Sequence, residues 1–123
     1  MNSGPDTAKA LAVGRIVIGV VSLVFPTLAA RGFMLKVSSN PQLPYVMRLF
    51  GAREIAVGAM TLTAPESART SMTGMGMAID GSDAVAGFAA VRSGVVSKPV
   101  GVFLTGAALG AVAAGASTFA DRR

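Results

Sequence analysis

Six ionisable side chains, Arg15, Arg48, Arg53, Glu54, Asp80 and Asp83, stand in stretches that otherwise suit hydrocarbon. Three guanidiniums and three carboxylates can pair, pass a proton or hold a small cation. Asp80 and Asp83 lie one helical turn apart, a spacing that serves a divalent cation or a proton relay. With arginines in the neighbouring segments, salt bridging is the stronger reading. The chain has no cysteine and no histidine. It therefore lacks the side chains of His-Cys zinc sites, His-ligated haem and His-assisted Ser or Cys nucleophiles. A membrane enzyme using carboxylate acid-base chemistry on a lipid ranks last. We expect no catalytic activity, no cofactor and no metal. Met72, Met75 and Met77 could offer thioethers to copper(I), but only the first two share a helix face, and methionine filling a gap between helices accounts for them better. Gly74 to Gly76 lacks the spacing and the Lys-Ser/Thr of a phosphate loop.

Steps of three and four residues show which faces carry these groups. One face reads Ala12, Arg15, Gly19, Ser22, Pro26. A second reads Met47, Gly51, Glu54, Gly58, Thr61, and a third reads Thr73, Gly76, Asp80, Asp83, Gly87, Ala90, Gly94. Small residues let helix backbones approach, and polar ones on the same stripe pair between helices instead of meeting lipid. An unpaired charge at a bilayer centre costs about 2.5 to 3.5 kcal/mol on insertion scales, which favours turning these faces inward. By depth, Arg15 pairs with Glu54, and Arg53 or Arg48 pairs with Asp80 and Asp83. Arg15 and Arg48 have the alternative of snorkelling from the segment ends. Near the chain's end, Gly106 with Gly110 and Ala111 with Gly115 offer small-residue contacts without charge.

The elements that position these faces follow from composition. Hydrophobic residues make up 52% of the 123 residues, charged ones 14%, and mean hydropathy is +0.61, against roughly 25% charged residues in an average soluble domain. With 15 glycines and few aromatics, the chain has the composition of closely packed membrane helices. We expect one all-α unit, an integral membrane four-helix bundle over residues 1–123, with spans near 8–30, 45–64, 68–91 and 100–120. Residues 1–7 read as a polar tail without the order of a signal peptide. Pro26 kinks or ends the first span, and Gly32 to Val37 forms a short interfacial turn. Tyr45 is an interfacial anchor. Both termini fall on one side of the membrane. Basic residues tie between the two sides, so the orientation stays open. The net charge of +5 is scattered over tails and loops, which argues for anionic head groups and against nucleic acid as the partner.

The stretch Arg48 to Glu54, with its Arg-x-Phe-Gly-x-Arg-Glu core, and the Asp-x-x-Asp at Asp80 and Asp83 resemble a group of small four-span bacterial membrane proteins with no assigned activity. That group is similar in size and layout to the DoxX-like proteins, and the likeness covers Arg48 to Gly87. It implies a four-helix membrane fold and carries over no activity or cofactor. DoxX-like proteins are regarded as membrane partners of redox enzymes, a role this chain has no Cys or His to share in directly. Two functions stay open. One is a structural or accessory subunit whose Arg, Glu and Asp network and small-residue faces (Gly51, Gly58, Gly76, Gly87, Gly106, Gly110) hold helices together and dock another membrane protein or a second copy. The other is a carrier for protons or a small polar solute using the same carboxylates.

Overall fold

Five of the six prolines stand at helix starts, where a missing N–H costs nothing. The computed structural model describes residues 4–120, and over these it is all-α, with no strand. The helices are α1 (Gly4–Val24), α2 (Pro26–Gly32), α3 (Leu43–Thr63), α4 (Glu66–Arg92) and α5 (Lys98–Ala120). Pro5, Pro44 and Pro99 are each the second residue of a helix, Pro26 opens α2, and Pro65 caps α4. The expected tail is shorter than residues 1–7, because Pro5 and Asp6 suit a first turn and α1 begins at Gly4. Met1 to Ser3 and the closing Asp121, Arg122 and Arg123 lie outside the described residues. The first span ends earlier than residue 30. Phe25 leaves helical geometry at φ −124° and ψ 65°, since the residue before a proline is pushed out of the α region. Of these helices, α1 (over Thr7–Val24) and α5 (over Lys98–Thr118) are long and apolar enough to cross a membrane.

The chain divides into two compact units, Ala12–Thr63 and Met1–Leu11 with Ala64–Arg123. In the first, α1 and α3 cross antiparallel with their backbones almost touching. A Cβ on Gly19 would lie 2.7 Å from the Gly51 carbonyl oxygen, one on Gly51 would lie 2.6 Å from the Gly19 oxygen, and one on Gly58 would lie 2.6 Å from the Ala12 oxygen. Phe33, just past α2, meets Phe50 of α3 edge to face at 5.5 Å. In the second unit α4 and α5 also run antiparallel. A Cβ on Gly87 would come within 2.7 Å of the Thr105 hydroxyl oxygen, one on Gly115 within 2.6 Å of Met77 Cγ, and one on Gly101 would overlap the Val91 side chain.

Large apolar side chains point outward and small or polar ones inward. The buried apolar residues are Ala8, Ala12, Ala30, Met47, Val57 and Ala84, joined by buried Ser22, Glu54, Thr73, Asp80 and Thr118. Phe25, Leu28, Val85, Phe88 and Val102 are each more than half exposed. Several hydroxyls fold back onto their own helices: Thr61 donates to the Val57 carbonyl at 2.8 Å and buried Thr118 to Gly115 at 2.7 Å, which satisfies a polar group in apolar surroundings.

Two helices end in the same way. After α4, Val95 N–H donates to the Ala90 oxygen and Gly94 N–H to the Val91 oxygen, with Gly94 at φ +76°. After α2, Leu35 N–H donates to Ala30 and Met34 N–H to Arg31, with Met34 at φ +63°. Both are Schellman turns, and the second forces a side-chain-bearing residue into the left-handed region. Met34→Gly should therefore raise unfolding stability by about 0.5–1 kcal/mol and Gly94→Ala should lower it by a similar amount. Melting of both variants in the same detergent checks this, and a destabilised Met34→Gly protein would refute it.

Candidate functional site

Glu54 is 4% exposed and sits on α3 between Gly51 and Gly58, at the level where α1 comes closest. A buried carboxylate needs charged partners. Arg15 Nη1 of α1 meets Glu54 Oε2 at 2.9 Å, and Arg53 Nη2 meets Glu54 Oε1 at 3.3 Å. Each carboxylate oxygen thus accepts from a different guanidinium. The Arg15 side chain keeps only 15% of its exposure and the Arg53 side chain 38%, so the first pair is the drier one.

Arg53 also lies over the Phe50 ring, 5.2 Å from its centroid, a favourable placement for a cation. Since Phe50 meets Phe33, a continuous contact path runs from Arg15 through Glu54, Arg53 and Phe50 to the end of α2. It ties three successive helices of the Ala12–Thr63 unit together. Chemically the arrangement is a clamp, because both faces of the carboxylate are taken up by donors.

The other charged residues singled out in the sequence are placed as follows. Arg48 is exposed, and its Nε donates to the Leu23 carbonyl oxygen at 3.2 Å, closing the end of α1. Asp80 is 6% exposed on α4, in line with buried Thr73, Gly76, Ala84 and Gly87. Asp83 is half-buried. Among the described residues, no group of three His, Cys, Asp or Glu side chains could hold a metal ion.

The small residues divide. Gly51, Gly58 and Gly87 sit where a Cβ would collide with a neighbouring helix, and Gly76 is buried. Gly106 and Gly110 are exposed, with nothing within 4 Å of a Cβ placed on either. The α5 contacts run instead along Gly101, Thr105 and Gly115. Sequence reasoning missed Gly101, and it missed the link from Phe33 to Phe50. The placement of Arg53 over Phe50 did have a signal, since Phe50 stands three residues before Arg53, one turn away on the same helix.

Compared with protein-family models, curated proteins and solved structures, the chain finds no match.

Truncating Glu54 takes an acceptor from both arginines and opens space at the closest part of the crossing. Glu54→Ala should cost about 3 kcal/mol, the range for breaking a buried pair. The Arg15→Ala, Glu54→Ala double variant should lose clearly less than the sum of the two single variants. A double-mutant cycle by reversible unfolding in detergent measures the coupling, and strict additivity would show that the pair contributes nothing.

Proposed function

We propose that the chain is a multi-pass integral membrane protein that crosses the bilayer four times and acts as a structural or accessory subunit beside another membrane protein or a further copy. The observation that carries the membrane reading is the inverted distribution of side chains. In each unit valines, leucines and phenylalanines stand exposed, while the buried positions are mostly alanine, glycine, serine and threonine, with the carboxylates Glu54 and Asp80 among them. Water would oppose that arrangement and lipid tails favour it.

The four-span form extends this from α1 and α5 to the two more polar helices. At 1.5 Å per residue the 21 residues of α3 and the 27 of α4 reach about 31 and 40 Å, enough for a hydrocarbon core of about 30 Å. The most buried charge on α3 is neutralised within its own unit by Arg15 and Arg53, which lowers the cost of burying that helix. The subunit role is supported by the clamp: a carboxylate with both oxygens engaged holds helices in register and leaves little room for a passing ion.

Because the chain has no cysteine, single cysteines report topology without background. Ser38→Cys and Ser97→Cys should react with a membrane-impermeant maleimide from one side of the membrane, and Ser67→Cys from the other. Labelling of all three from the same side would end the four-span reading. In proteoliposomes the protein should leave a pH gradient intact. Gradient loss that disappears in the Asp80→Asn variant would replace the subunit role with a carrier.

A further inference from the structure

We propose that the end of the Ala12–Thr63 unit formed by α2, the following loop and the first turns of α3 is a binding surface for anionic phospholipid head groups, an inference that rests on the bilayer reading. No acidic residue occurs between Asp6 and Glu54. Within that run Arg31, Lys36 and Arg48 are exposed. Arg15 and Arg53 are engaged by Glu54, so these three are the cations this end offers outward.

Their positions are built. Arg31 closes the last turn of α2, whose Pro26 and Ala30 are buried. Its carbonyl accepts the Met34 N–H at 2.9 Å, in the Schellman turn that leads to Lys36. The Lys36 carbonyl accepts from the Asn40 side-chain amide, and Asn40 N–H donates to Val37, which fixes the loop around the lysine. Arg48 is held at the end of α1 by Leu23, and Phe33 on Phe50 anchors the far end of α2 to α3.

Apolar side chains are interleaved with the charges. Phe25 is 60% exposed, Leu28 61%, Met34 50% and Tyr45 66%. Leu28 and Arg31 share the outward face of α2, one turn apart. An apolar body with a cationic tip is the composition of a bilayer boundary, where the stem enters the acyl layer and the head meets phosphate. Arginine forks match phosphate oxygens in pairs, and lysine adds a point charge. With three cations and no competing carboxylate, the complementary charge is that of an anionic lipid.

The test uses the full chain, which has no tryptophan, carrying Tyr45→Trp as the sole reporter. It is reconstituted in phosphatidylcholine vesicles containing matched fractions of brominated phosphatidylglycerol or brominated phosphatidylcholine. Quenching should show an association with phosphatidylglycerol about five-fold above that with phosphatidylcholine, the size expected for a cation near an anionic surface. The preference should vanish in the triple variant Arg31→Gln, Lys36→Gln, Arg48→Gln, while quenching by brominated phosphatidylcholine persists. It should survive in Arg31→Lys, Lys36→Arg, Arg48→Lys. It should also weaken for the reporter chain itself in about 1 M salt, where the screening length falls to about 3 Å, a readout that does not depend on a variant folding. Equal quenching by the two lipids would overturn the lipid surface and leave the bilayer reading standing. Quenching by neither would overturn both, and a preference retained in the glutamine variant would overturn the assignment to these residues.

Discussion

A carboxylate drawn out of water must meet positive charge at contact distance, and in the Ala12–Thr63 unit that requirement governs the geometry. Glu54 reaches Arg15 across 39 residues of sequence. For a guanidinium of α1 to donate to an oxygen so close to the α3 axis, the two helices must approach nearer than ordinary side chains permit. Gly19, Gly51 and Gly58 provide that approach. The glycines and the ion pair are therefore one device: widening the crossing would stretch the pair, and removing the pair would leave a tight crossing without its ionic contact. The register of α1 on α3, with Ala12 by Gly58, Arg15 by Glu54 and Leu23 by Arg48, follows from it.

The α4 and α5 pair meets the same demand for closeness with other means. Threonine and methionine enter spaces left by glycine, as Thr105 does at Gly87 and Met77 at Gly115. Such contacts gain from dispersion between well-fitted atoms rather than from removing large apolar surfaces from water. The six buried apolar residues include nothing larger than methionine. Stability in both units thus rests on many shallow contacts, and single added methyl groups at the crossings are disproportionately costly.

Much of this was legible in the sequence because polar residues mark the inner stripe of a helix in apolar surroundings. Of the three- and four-residue walks, Ala12, Gly19, Ser22 and Pro26, then Met47, Gly51, Glu54 and Gly58, then Thr73, Gly76, Asp80 and Gly87 fall on buried positions, whereas Arg15, Thr61, Asp83 and Ala90 are part-exposed and Gly94, past the end of α4, is exposed. Where the marker was missing, so was the answer. Beyond Lys98, α5 carries no charge and has small residues on several stripes, and nothing in its composition distinguishes Gly101 and Gly115 from Gly106 and Gly110. Helix starts lie about two residues before the expected spans for α3, α4 and α5, because those spans follow the apolar stretches while the first turns also take in proline and polar residues. The edge-to-face pair of Phe33 and Phe50 depends on how the chain turns after α2, which no local pattern encodes.

The long separation between Arg15 and Glu54 acquires a further meaning when the chain is considered as it is made. At about 5–20 residues per second, the ribosome needs roughly 2–8 seconds after adding Arg15 to supply its acidic partner, and Asp6 is the sole acid it adds before then. During that interval the first helix is made without the carboxylate that Arg15 meets in the fold. The close crossing of the Ala12–Thr63 unit is therefore complete only once α3 has been made, because both the glycines and the carboxylate that α1 meets lie on that helix.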